Sequence, residues 1–384
     1  MTNSKTFCYG RGIIAGLLIS AGVTATFAQI NPAVMPASGL ITKQTMSRLL
    51  LTDATRVGER VVAVGDRGYI VYSDTNGQSW HRAKTPPNTP LLTAVYFLDA
   101  KTGWAVGHDS MILTSVDRGE TWSKSFSAAD EQKPLMDIVF TDPNTGFAVG
   151  AYGAFHATTD GGKTWSPRKL FETTVAKAAP AAAPKKGKYE SVGSGKAGDA
   201  DPDDKAGKGG DDDKHINAIV KFGEQKLFVA GEAGLLAKSD DGGKTWVKLV
   251  SPYKGSYFGA IQAQDGALLI YGLRGRIYRS ADAALSNWTQ IDNKSVASIM
   301  GSTRLPDGTL VLAGLSGTVL LSRDNGNTFK ALPTGSTKAL SAALPGAPNA
   351  LLLIGEAGVR DVPLTSAAPS PAPASAPAEP KPKA

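Results

Sequence analysis

Seven short glycine turns, GDRG, GHDS, GAYG, GEAG, GLRG, GLSG and GEAG, begin at residues 65, 107, 150, 231, 272, 314 and 355 and carry the side chains best suited to chemistry. They offer Asp66, Arg67, His108, Asp109, Tyr152, Glu232, Arg274 and Glu356, with Arg276 just beyond on the following segment. A guanidinium presents planar paired donors that fit a carboxylate, and arginine is favoured where one protein grips another. Arg67, Arg274 and Arg276, with His108 and Tyr152, are therefore the candidate partner-binding set. Carboxyls raise a second chemistry, since glycosidic cleavage needs two of them about 5 to 9.5 Å apart. Glu356, Asp66 and Asp109 lie on adjoining repeats and keep that chemistry open, whereas Glu232 falls on the far side of the ring.

Other reactive side chains narrow the field. The single cysteine, Cys8, sits at the extreme N-terminus, so a disulfide framework, a thiolate zinc site and a cysteine nucleophile are all excluded from the body of the chain. The four histidines, His81, His108, His156 and His215, show no metal-ligand spacing with one another. The acidic run DADPDD resembles a calcium loop only in part. Asp204 occupies the place of the sharp-turn glycine, Gly210 that of the bidentate glutamate, and Pro202 stiffens the segment, so a solvated charge run is the reading adopted. No catalytic residue, metal or cofactor is expected. The net charge of +7 is spread over 384 residues, too dilute to imply a nucleic-acid partner.

The glycine turns belong to a longer repeat, and the repeat is what must position them. Six copies run VVAVGDRGYIVYSDTNGQSW (61–80), GWAVGHDSMILTSVDRGETW (103–122), GFAVGAYGAFHATTDGGKTW (146–165), LFVAGEAGLLAKSDDGGKTW (227–246), LLIYGLRGRIYRSADAALSNW (268–288) and LVLAGLSGTVLLSRDNGNTF (310–329). A seventh, LLLIGEAGVRDV (351–362), stops before its last turn. The closing aromatics Trp80, Trp122, Trp165, Trp246, Trp288 and Phe329 are 42, 43, 81, 42 and 41 residues apart. Each unit reads strand, glycine turn, strand, polar turn, strand, with one more apolar run before it. In the second unit the four strands fall at about 91–98, 103–107, 110–115 and 122–127. Four strands per unit and about 42 residues for each of seven units predict an all-β, seven-bladed β-propeller with four-stranded antiparallel blades over 29–364. Because the seventh unit lacks an outer strand, residues 29–38 are expected to supply one and close the ring.

The polar turns, TTDGGKTW and SDDGGKTW most clearly, match the Asp-box of sialidase-type propellers. The longer unit VAVGxxGxIxxSxDGGxTW resembles the photosystem II assembly and stability factor family, over nearly the whole chain. Here Thr75 replaces the aspartate in unit one, Ala284 and an added residue alter unit five, and Phe329 replaces tryptophan, changes expected to weaken individual turns. The turn chemistry itself makes Asp117, Asp160, Asp241, Asp282 and Asp324 structural: a Ser/Thr and an Asp accept backbone N–H groups while glycine takes φ > 0, and the Trp that follows packs between sheets. The resemblance implies an exported, non-catalytic factor that holds a membrane-protein precursor through basic residues. The alternative is a sialidase-like glycoside hydrolase or a glycan-binding propeller. Sialidase chemistry needs three arginines around a carboxylate with a Tyr/Glu nucleophile pair, and only Arg67, Arg274 and Tyr152 find a place.

Three segments stand outside the repeat. Residues 1–28 read as a secretory signal, with Lys5 and Arg11, an apolar stretch from Gly12 to Ala25, and Thr26-Phe27-Ala28 before the cut. Its apolar run is short for a bilayer span, so export to the periplasm or an equivalent lumen is expected. The 81-residue step contains a low-complexity insert, 172–214, that restores the period when removed and is read as a disordered loop between blades three and four on the glycine-turn face. The Pro/Ala-rich tail, 365–384, is read as a disordered spacer. A monomer that binds a membrane-associated protein complex, photosystem-like or transporter, is the expected working form.

Overall fold

The computed structural model describes residues 39–171 and 210–364. The signal, residues 29–38 with the closing strand expected there, most of the insert and the tail lie outside the described residues. The rest is a ring of seven antiparallel sheets, the predicted propeller. In blade two the strands are Leu92–Phe97, Gly103–Gly107, Ile112–Ser115 and Ser123–Phe126, each within two residues of expectation.

The second strand of every blade is a continuous apolar run because both of its faces are covered. VVAVG, GWAVG, GFAVG, LFVAG, LLIYG and LVLAG are buried at every residue. Core clusters accordingly lie between adjacent blades. Val62 and Val64 of blade one meet Val95, Leu113 and Trp122 of blade two, and Val149 and Phe155 of blade three meet Ile219 and Val229 of blade four. Each second strand ends in a glycine paired with the first residue of the inner strand, as Gly107 with Leu92, and a bulge follows immediately. A side chain at Gly107 would collide with the Leu91 carbonyl. The bulged residues stitch the ring. The Thr52 hydroxyl donates to the Leu92 carbonyl (2.6 Å), Thr93 to Leu135 (2.7 Å), Ser341 to Leu51 (3.0 Å), and the Asn217 amide to Tyr257 (2.8 Å).

Blades one and seven depart from four strands. Among the described residues blade seven has three, and blade one has five because Gly39–Ile41 pairs with its outer strand, Trp80–Arg82. The next segment, 42–49, climbs between the two blades. Ile41, Met46 and Leu49 are buried, and the Gly358 N–H of blade seven donates to the Leu49 carbonyl (2.9 Å). The N-terminal segment that is described thus joins blade one to blade seven through packing and strand addition on blade one.

Candidate functional site

The ring has two kinds of turn on opposite faces. On one face, third and outer strands are joined by the Asp turns, where side chains close the loop. Asp241 accepts from the Thr245 N–H (2.9 Å), the Thr245 hydroxyl (2.6 Å) and the Ser239 hydroxyl (2.7 Å), while Ser239 accepts the Gly243 N–H (2.8 Å). Asp117, Asp160 and Asp324 repeat this set. The Thr164 hydroxyl and amide hold Asp160 down to about 2. Two expected weak turns keep the pattern with other atoms. Thr75 Oγ1 accepts the Ser79 N–H (2.8 Å), and Asp282 reaches over the added residue to the Ser286 N–H (3.0 Å). Trp80, Trp122 and Trp165 are buried with indole N–H groups donated to Gly77, Gly119 and Gly162, whereas Trp246 and Trp288 are partly buried.

On the opposite face, second and third strands are joined by the glycine turns, each closed by a backbone bond: Tyr69 N–H to Asp66, Met111 to His108, Ala154 to Ala151, Leu235 to Glu232, Arg276 to Leu273 and Thr318 to Leu315. The third residue of the turn is left-handed in six blades, at φ 54° for Arg67, 59° for Asp109, 53° for Tyr152, 48° for Ala233, 55° for Arg274 and 56° for Ser316. Glycine holds this conformation without strain, yet three of the six are bulky side chains pointing off the face. Strain kept at surface turns is an indicator of use.

The predicted residues do not form one cluster. Arg274 and Arg276 come together with Gln290, Asp292, Asn293 and Ser295 around a cavity of about 460 Å³ on blade five. Arg276 also stacks over the Tyr253 ring, 5.8 Å from its centroid. Asn293 holds the cavity floor by donating to the Gly275 carbonyl (2.7 Å), and Lys294 engages Asp292 and lowers its pKa. Val296 stands at the rim, 87% exposed. Arg67 sits apart on blade one, 3.5 Å from Asp66. His108 is half-buried on blade two.

Tyr152 has neighbours that the sequence reading passed over. Its ring is 52% exposed and meets His215 edge-on at 4.7 Å, and His215 Nδ1 lies 3.8 Å from Glu232 Oε2. The signal was available: His215 directly precedes the inner strand of blade four and must therefore emerge on this face. The same logic would have found Asn293 and Ser295, which lie between the outer strand of blade five and the inner strand of blade six. The last residues assigned to the insert, 210–214, are also part of the fold. Asp211–Asp213 form a turn whose Asp211 engages Lys248 and Lys214, and whose Asp212 backbone packs on Gly153.

The remaining candidates have local roles. Glu356 accepts from Lys338 Nζ (2.8 Å) and the Ala339 N–H (3.3 Å), which hold its carboxyl below the usual range. His81 stacks on Tyr72 at 5.4 Å, and His156 is buried against Phe126. Among the described residues no three His, Cys, Asp or Glu side chains group as metal ligands, and no helix is long and apolar enough to cross a membrane. Residues 199–209 of the calcium-like run lie outside the described residues.

Comparison with known proteins finds the same fold and one local family signature. A family model described as photosynthesis system II assembly factor YCF48 matches residues 122–179. The structure of YCF48 bound to D1 peptide superposes with a TM-score of 0.59 at 17% identity, covering 86% of this chain and 98% of that one. YCF48 from Cyanidioschyzon merolae gives 0.59 at 16%, covering 84% and 98%. The GH74 xyloglucanase from Xanthomonas campestris gives 0.55 at 14%, covering 84% of this chain and 53% of that one. No curated protein matches. The sequence signature and the fold agree with the resemblance to photosystem II assembly factors.

Proposed function

We propose that the protein is an exported, non-catalytic assembly, stability or adaptor factor that holds a protein segment of a membrane-associated complex on its glycine-turn face. The observation that carries this reading is the blade-five cavity, where Arg274 and Arg276 present two guanidiniums beside the exposed Val296. That combination suits a carboxylate-bearing peptide with an adjacent apolar side chain. A related propeller has been solved with a bound peptide of D1, which supports a peptide as the ligand class. Arg67, His108 and Tyr152 extend the same face, and residues 210–214 pack beside Tyr152. Glu356, held ionised by Lys338 and the Ala339 N–H, does not suit the general-acid role.

Cross-linking the tagged protein in its native membranes, followed by mass spectrometry, tests the proposal. One membrane complex is expected with the natural chain and is lost with R274E/R276E, while the melting temperature stays unchanged. Turnover of a glycan substrate without any captured protein would overturn it.

A further inference from the structure

The glycine turn of blade four, Glu232–Gly234, is tied to the cavity of blade five through the 249–256 connection. The Gly234 N–H donates to the Gly255 carbonyl (3.0 Å), and a side chain on Gly234 would strike the Tyr253 carbonyl. Tyr253 in turn carries the Arg276 guanidinium over its ring, 5.8 Å from the centroid. Ser251 fixes the connection by donating to the Tyr253 carbonyl (2.6 Å) and bonding the Tyr257 hydroxyl (2.9 Å). Val250, on the same connection, is 85% exposed.

On the far side of the blade-four turn the charge reverses. The Glu232 carboxylate accepts the His215 N–H (3.2 Å), and the His215 ring meets the exposed Tyr152 ring edge-on at 4.7 Å. The Tyr152 turn is seated by backbone contact: the Gly153 N–H donates to the Lys214 carbonyl (3.1 Å), and the Asp212 carbonyl lies where a side chain on Gly153 would stand. Neighbouring acids have lysine partners, Lys169 for Asp212 and both Lys214 and Lys248 for Asp211. Lys214 is further held by the Ala233 carbonyl (3.3 Å). Among the described residues no lysine or arginine pairs with Glu232, whose side chain is half-buried beside the Tyr152–His215 ring pair. A half-exposed aromatic ring next to a carboxylate of this kind is suited to a cation.

We propose that Tyr152 and Glu232 form a second subsite, for a lysine or arginine side chain, so that a partner segment lies along blades three to five with its basic residue at Tyr152 and its carboxylate at Arg274 and Arg276. The inference rests on the reading of this face as a peptide-binding surface and gives that surface a polarity. Charge complementarity carries it. A segment laid the opposite way would set its carboxylate against Glu232 and its cation against two guanidiniums, so the face selects one direction by repulsion as well as by attraction. Val250, on the connection between the two subsites, offers apolar contact to the residues in between.

The test is affinity selection of a random dodecapeptide library on the immobilised full chain at low salt, followed by sequencing, for the natural protein and for E232Q, E232K and R274E/R276E, with thermal melting as the check of folding. Peptides enriched on the natural protein are expected to carry one basic and one acidic position in a fixed order and at a fixed spacing. E232K is expected to turn the basic position acidic, and R274E/R276E to turn the acidic position basic. E232Q, which keeps an acceptor for the His215 N–H, is expected to lose the preference for a base and to bind the natural consensus peptide about fivefold more weakly. Enrichment of an acidic position with no basic one, or a basic preference that E232Q and E232K leave unchanged, overturns the subsite while the peptide-binding reading stands. No enrichment over bare resin overturns both.

Discussion

The two faces of the ring are built on the same backbone repeat and treat side chains in opposite ways. On the Asp-turn face, the loop is closed by side-chain oxygens, so residue type is dictated by geometry, and Asp117, Asp160, Asp241 and Asp324 recur with nearly superimposable bonds. On the glycine-turn face, backbone bonds close the loop, and the left-handed residue varies through Arg, Asp, Tyr, Ala, Arg and Ser. Repetition thus marks where the fold is made, and variation marks where one molecule can differ from another. Strain sharpens the point, because glycine would serve the turn better than Arg67, Tyr152 or Arg274.

The comparison is most strongly tested on the Asp-turn face. Trp122→Ala removes a buried ring packed on Phe97, at 5.9 Å edge-on, and should cost about 3–5 kcal/mol of stability, read by chemical denaturation. A cost near zero would show that the ring closes without its tryptophans. Asp241→Ala, which deletes three hydrogen bonds at a partly exposed turn, should cost about 1–2 kcal/mol after allowance for solvent screening. Across the molecule the sign reverses. Ala233→Gly should stabilise by about 0.5–1 kcal/mol by relieving its left-handed backbone at φ 48°, and leave partner capture intact. Arg67→Gly should give a similar gain but weaken capture. Equal losses of stability at Ala233 and Arg67 would mean that these turns are not strained.

Much of this division was legible in the sequence. The blade count, the strand positions in blade two and the structural role of the Asp turns follow from a 42-residue period and from turn chemistry that is local. Thr75 shows the limit of that reading, because a hydroxyl replaces the aspartate without loss of the turn bond. The ends of the ring were harder. The segment Gly39–Ile41 adds to blade one because its Ile41 buries beside Trp80, a long-range choice that no local pattern encodes. The site was legible only in part. Arg274 and Arg276 were identified by type, but their meeting around one cavity depends on the 291–298 connection folding back over the blade.

The most direct measurement sets the faces against each other in one experiment: melting temperature and membrane-partner capture for Asp241→Ala and for R274E/R276E, side by side. The account predicts a crossed result, with a lower melting temperature and retained capture for Asp241→Ala below its transition, and an unchanged melting temperature with lost capture for R274E/R276E. Capture that survives the double arginine change, or that disappears with Asp241→Ala while the protein is still folded, would contradict it.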